Sequence, residues 1–174
     1  MKKIFLLIGI ACISATAFAQ QGAVRIGVGA DFGIPTGSFG DIFSAGIGGY
    51  AKGLFGVSEH GYATFTTGYS SFKAKGSGSL GKVTWGIVPL LAGYRHHFSR
   101  FFAEPQAGYS INIAKATISG VSANESEGAF TWAVGVGFMA SPKVELGLRY
   151  QSAHKEGDAV SLVGLRLGYN FSLR

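Results

Sequence analysis

Phe101-Phe102-Ala103-Glu104-Pro105-Gln106-Ala107-Gly108-Tyr109-Ser110-Ile111-Asn112-Ile113 sorts into two sets by parity. The odd positions carry Phe101, Ala103, Pro105, Ala107, Tyr109, Ile111 and Ile113. The even ones carry Phe102, Glu104, Gln106, Gly108, Ser110 and Asn112. A strand sends successive side chains to opposite faces, so this segment is a ribbon with one apolar face and one largely polar or small face. A helix would place neither set on a single side.

The same parity runs outward along the chain. Phe130, Trp132, Val134, Val136 and Phe138 oppose Thr131, Ala133, Gly135 and Gly137. Val144, Leu146, Leu148 and Tyr150 oppose Glu145, Gly147, Arg149 and Gln151, and Val163, Leu165, Leu167, Tyr169 and Phe171 oppose Gly164, Arg166, Gly168 and Asn170. Near the start, Val24, Ile26, Val28, Ala30 and Phe32 oppose Arg25, Gly27, Gly29 and Asp31. Residues 83–98 alternate from Val88 onward, whereas 45–57 and 61–73 are assigned partly from the turns that bound them. The total is eight strands. An even number is what a closed antiparallel barrel needs if no edge is to remain unpaired in lipid.

Connection lengths support the same architecture. Ser58-Glu59-His60, Ser99-Arg100 and Ser141-Pro142-Lys143 are tight, while the links over 33–44, 74–82, 115–127 and 153–159 are longer and rich in Gly and Ser. Short and long alternate, which predicts an all-β, eight-stranded, up-and-down transmembrane barrel with short periplasmic turns, longer extracellular loops and both termini in the periplasm. Aromatic residues fall near strand ends, where amphipathic rings favour headgroup depth.

Composition agrees. The 174 residues include 28 glycines, 13% aromatic residues and 47% hydrophobic residues, but only 14% are charged, well below the roughly 25% of a soluble domain. Residues 1–19 read as a secretory signal: Lys2 and Lys3, an apolar run from Ile4 to Ile13, then Ala17-Phe18-Ala19, with cleavage expected before Gln20. Cys12 raises a lipoprotein signal as the alternative, but Gly9 stands where Leu is usual and the apolar run continues past it. The barrel domain is then 20–174, without cysteine. Lys2 and Lys3 leave with the leader, so 13 of the 15 basic residues remain against 9 acidic ones, a net charge of +4. Those charges are scattered, which argues against a nucleic-acid partner. No stretch of 18 apolar residues follows the leader, so membrane crossing is expected through strands.

Gly86-Ile87-Val88-Pro89-Leu90-Leu91-Ala92-Gly93-Tyr94-Arg95, the Phe101–Tyr109 run and the Gly-rich Pro35-Thr36-Gly37-Ser38-Phe39-Gly40 together resemble the small outer-membrane β-barrel-domain proteins. That family shares its architecture with OmpA- and OmpX-type barrels, and the resemblance covers about residues 22–174. It implies outer-membrane lipid and the outer-membrane insertion machinery as partners, in a bacterial cell envelope. The chain departs from the family at its end: many such barrels finish on an aromatic residue, and this one continues Phe171-Ser172-Leu173-Arg174.

The inward parity collects Arg25, Asp31, Lys52, Arg95, Glu104, Glu145, Arg149 and Arg166 as a charged interior network. The Ser99-Arg100 turn sets Phe98 against Phe101 and so Arg95 against Glu104, which predicts a cross-strand ion pair. Structural filling is the favoured reading, because eight strands enclose room for side chains or one small ligand.

Other motifs are weaker. Gly76 to Lys82 approximates a phosphate-binding loop, but Val83 stands in place of Ser or Thr and a strand follows where a helix is needed. Gly135 to Ala140 is a loose dinucleotide fingerprint with the same defect. His96 and His97 face opposite sides of a strand and cannot share a metal. His154, Glu156 and Asp158 with Ser152 or Ser161 are the nearest approach to a hydrolase set, on a rim where such residues are ordinarily solvated. No catalytic residue, cofactor or metal is therefore assigned. The expected role is structural or surface-interacting and non-enzymatic, with 33–44, 74–82, 115–127 and 153–159 available to an extracellular partner, Ile34, Phe39, Ile42 and Phe43 among them. A narrow porin-like channel is the first alternative. A soluble lipocalin-like barrel is the second, and for that one the charges lie on the wrong phase.

Overall fold

The computed structural model describes residues 24–76, 82–118, 121–155 and 158–173; the expected leader lies outside them. Eight strands form one closed barrel in chain order, each antiparallel to its neighbours. They are β1 (Val24–Thr36), β2 (Gly46–Gly56), β3 (Gly61–Lys73), β4 (Lys82–Phe98), β5 (Phe101–Ile118), β6 (Val121–Met139), β7 (Val144–Lys155) and β8 (Asp158–Leu173), with one short helix, α1 (Gly37–Ile42), between β1 and β2. Closure is made by β1 on β8, from Val24 opposite Leu173 to Thr36 opposite Ser161. With no strand left over, the ladder satisfies its own backbone groups, as a hydrocarbon surround demands.

Alternation determines which side chains meet the surround. Phe101, Tyr109, Val136, Leu148 and Leu165 are all more than half exposed on the outside, while Arg95, Glu104 and Arg149 on the opposite parity are buried. That arrangement is the inverse of a soluble ligand-binding barrel. The tight connections β2–β3, β4–β5 and β6–β7 gather at one end with the start of β1 and the end of β8, here the turn end. In the β4–β5 link Ser99 has φ of 59°, the left-handed geometry that lets two residues reverse the chain.

The opposite, hairpin end differs from the sequence expectation in two respects. The link over 115–127 is mostly strand: β5 and β6 stay paired from Phe101 opposite Phe138 up to Ile118 opposite Val121. Likewise 153–159 is reduced to a tip, since β7 and β8 pair as far as Lys155 opposite Asp158. Both segments lack apolar alternation because they stand beyond the apolar band, where neither face needs to be greasy. Crossing a bilayer takes about 9–11 tilted residues, so the 11 of β2 suffice while the 19 of β6 overshoot.

The second difference is the fate of 33–44. β1 continues to Thr36, α1 follows, and Phe39 and Phe43 turn inward rather than toward a partner. They form an apolar cluster with Phe72, Ile87 and Leu162. Phe39 lies 4.7 Å from Phe43 and 5.6 Å from Phe72, ring centre to ring centre. Gly46 makes room for this cluster, since a Cβ there would fall 2.7 Å from Phe72 Cε1. Lys75 fastens the segment, its Nζ donating to Gly40 O at 2.6 Å and its N–H to Ile42 O at 2.8 Å. Ile34 and Ile42 remain exposed.

The cluster makes Phe72, fully buried, a stability determinant. Phe72→Ala should lower the unfolding free energy by about 3–5 kcal/mol, read from urea unfolding of protein reconstituted in phospholipid vesicles. An unchanged midpoint would mean that the cluster does not form.

Candidate functional site: the charged lumen

Between the turn end and the apolar cluster, the inward parity places seven of the eight singled-out residues in a buried band: Asp31, Lys52, Arg95, Glu104, Glu145, Arg149 and Arg166. Arg25 is half-buried nearer the turn end and makes no ion pair among the described residues.

Glu104 is the first hub. Its Oε2 accepts from Lys52 Nζ at 2.6 Å and from Arg95 Nη2 at 2.6 Å and Nε at 2.9 Å, while Oε1 accepts from Gln106 Nε2 at 2.9 Å. The Arg95–Glu104 contact is the one derived above from the Ser99-Arg100 turn. Gln106 also donates to Thr66 Oγ1 at 2.7 Å. Glu145 is the second hub, with Arg95 Nη1 at 2.6 Å and Asn170 Nδ2 at 2.9 Å on Oε2, and Tyr50 Oη at 3.2 Å on Oε1. Gly168 permits the Tyr50 contact: a Cβ there would collide with the Tyr50 hydroxyl and stand 2.9 Å from Glu145 Cγ. Arg95 thus links β5 to β7 across the lumen from β4.

Asp31 forms a separate cluster. Its Oδ2 accepts from Arg166 Nε at 3.1 Å and Nη2 at 3.0 Å, with Arg149 Nη1 3.9 Å away. Arg149 also donates to Gln151 Oε1. Asp31 Oδ1 and Arg149 Nε are buried without hydrogen-bond partners. Aromatic faces shield the cations further: the Arg95 guanidinium carbon lies 3.8 Å from the Phe102 ring centre and that of Arg166 lies 4.4 Å from Tyr50.

Parity reasoning singled out the charged members, placed Gln106, Gln151 and Asn170 on the same face without assigning them to the network, and missed Tyr50 and Thr66 on the weakly alternating β2 and β3. They share the inward phase, so the signal was present. The voids left inside the network are about 20 and 10 Å³, room for roughly one water apiece. The arrangement can hold charge and exclude bulk solvent. Carboxylates bonded by two or three donors each act as fixed counter-ions here.

The weaker motifs resolve as follows. Lys82 opens β4 while residues 77–81 of the Gly76–Lys82 run lie outside the described residues, and Gly135 to Met139 lies inside β6. His97 faces the lumen side, 5.4 Å from the Tyr62 ring, while His96 packs outside against Phe98. Ser152 Oγ lies 2.9 Å from His154 Nε2, but that nitrogen also accepts from Trp132 Nε1 at 3.3 Å, Ser152 hydrogen-bonds Ser161 at 2.9 Å, and Ser152 is 2% exposed. A serine so enclosed offers no approach to a substrate carbonyl. Glu156 lies outside the described residues, as does the side chain of Asp158.

Buried and exposed ion pairs here should separate sharply. Glu104→Gln strands Lys52 and leaves Arg95 with Glu145 alone, and should cost about 3 kcal/mol. Glu127→Gln, which removes a partly exposed 2.7 Å contact to Lys155, should cost under about 1 kcal/mol. Equal effects in urea unfolding would contradict the network.

Residues 4–171 match the family model described as the outer membrane protein beta-barrel domain. No curated protein matches the chain in sequence. Among solved structures, Ail of Yersinia pestis, crystallised in complex with the heparin analogue sucrose octasulfate, is similar with a TM-score of 0.65 and 15% identity, over 87% of this chain and 100% of that one. Neisserial surface protein A gives 0.60 and 16%, over 88% and 100%. The N-terminal barrel domain of Pseudomonas aeruginosa OprF gives 0.57 and 12%, over 87% and 100%. At these identities the structures share the fold alone. With a closed eight-stranded barrel, an apolar exterior and a family match over nearly its whole length, the chain belongs to the outer-membrane β-barrel domain family.

Proposed function

We propose that this outer-membrane protein is a closed-lumen barrel whose work is done at its surface, as a structural or interaction element without enzymatic activity. The observation that carries this reading is the mismatch between a filled interior and an extended rim. Inside, the ion network and the Phe39–Phe72 cluster occupy the lumen in series. At the hairpin end, β4, β5 and β6 rise above the rest of the barrel.

The rim has a specific feature. β6 pairs with β7 only from Phe130 opposite His154 toward the turn end. Among the described residues, its strand partner from Val121 to Ala129 is β5. Among the described residues the edge over 123–126 has no second strand beside it, and every residue from 123 to 128 is exposed. Unpaired N–H and C=O groups in an extended strand are a template for another extended chain. The partner surface is then one strand edge rather than four loops.

The orientation belongs to the same proposal. The turn end with both termini faces the periplasm and the β5–β6 hairpin faces outward, in keeping with short turns on the periplasmic side of outer-membrane barrels. Residues 1–19 serve as the export signal. A narrow channel is the competing use of such a barrel, and the voids of one water's size do not favour it.

Two measurements test this reading. In intact cells, a membrane-impermeant maleimide should label Ser126→Cys and should leave Ser58→Cys unlabelled until the outer membrane is opened; the reverse pattern overturns the orientation. In planar bilayers the wild-type protein should show no steady single-channel current. A persistent unitary conductance would overturn the closed lumen.

A further inference from the structure

At the turn end the lumen widens into a cleft of about 490 Å³ bordered by Arg25, Tyr62 and His97 from the strands and by Glu59, Arg100 and Pro142 from the turns. It is separate from the ion network. Phe102 contacts both His97, at 5.8 Å between ring centres, and Arg95, at 3.8 Å, so an apolar ring intervenes.

Arg25 is the unusual member. Lys52, Arg95 and Arg166 each have a carboxylate oxygen within 3.0 Å, and Arg149 has one at 3.9 Å. Among the described residues Arg25 has none. Its Nε is buried without a hydrogen-bond partner, and its guanidinium carbon lies 5.3 Å from the centre of the Tyr62 ring. A guanidinium resting against an aromatic face keeps its in-plane edge available, and that edge matches a two-oxygen planar acceptor. The buried Nε lies out of a ligand's reach, so the paired N–H groups of the terminal nitrogens are the ones that would meet it. The Tyr62 hydroxyl and the His97 ring also make no side-chain hydrogen bond among the described residues, although their rings touch each other. Three polar groups thus converge on open space.

Charge and size narrow the ligand. Arg100 adds a second cation at the rim and Glu59 an anion. Glu59 disfavours a second negative charge on the ligand, which weighs against phosphate or a dicarboxylate. The volume exceeds what a carboxylate alone would fill. We infer that the turn-end cleft binds a singly charged carboxylate, the C-terminus of a short peptide or a small organic acid, gripped in plane by Arg25 with Tyr62 and His97 donating beside it. The site is independent of which compartment the turn end faces.

The test uses the full chain in lipid nanodiscs, where both barrel ends are open to solvent, with binding read by calorimetry and by the Arg25 side-chain NMR signal. The probes are acetyl-alanyl-alanine, its C-terminal amide, and propionate. The acid peptide should bind saturably and shift the Arg25 signal, and the amide should bind about tenfold more weakly or worse. Arg25→Gln should lose the acid by a similar factor while keeping the gel mobility of the folded barrel. Propionate binding as tightly as the peptide assigns the site to small acids; weaker binding assigns it to peptide ends. No saturable binding of either acid, equal affinity for acid and amide, or undiminished binding by Arg25→Gln overturns the inference. If Arg25→Gln does not fold, the acid–amide comparison on the wild type decides alone.

Discussion

Hydrocarbon against the outward parity is the constraint on which the rest of the molecule depends. A bilayer interior offers no partner for a backbone N–H or C=O, so every strand inside it must be paired on both sides, and β1 must meet β8. It offers no partner for a charge either. An Arg or Lys facing lipid at mid-bilayer would cost about 2–4 kcal/mol. Ionised side chains within the band are therefore driven to the lumen, and a lumen of eight strands is narrow enough that they must then satisfy one another. The ion network follows from where lipid is, rather than from any attraction strong enough to build a fold by itself.

That order of causes explains the form of the network. Desolvation offsets much of the attraction in a buried pair, so Glu104 and Glu145 share several donors each rather than one. Arg95 spans both carboxylates with both terminal nitrogens, which a lysine has no geometry to do. Small residues complete the fit: Gly168 leaves the space that Tyr50 uses to reach Glu145. At the hairpin end the same lumen turns apolar, and α1 closes it with phenylalanine rings instead of ions.

Much of this was legible in sequence, and the illegible parts share a cause. Parity in Phe101–Ile113 and in the last strands gave the faces, and the two-residue turn at Ser99-Arg100 gave the Arg95–Glu104 register, because both are local properties of a strand. The Asp31–Arg166 pair joins the first strand to the last, and Lys52 reaches Glu104 across the lumen; no local turn sets either distance. Phe39 and Phe43 read as loop residues because their burial arises only once Phe72, Ile87 and Leu162 are assembled beneath them. The strand character of residues 115–127 was hidden for the opposite reason. Beyond the apolar band the ribbon has no buried face, so it carries no alternation to read, and its pairing is held by the β5–β6 ladder, with β4 alongside only as far as Thr117.

The account is tested most directly by spin labels on the two parities of reconstituted protein. Nitroxides at Val134 and Leu165, both about half exposed on the outer face, should be relaxed strongly by dissolved oxygen and weakly by a water-soluble nickel chelate, the signature of acyl-chain contact. Preferential relaxation by the chelate at both positions would put water where lipid is required and would contradict the barrel as described.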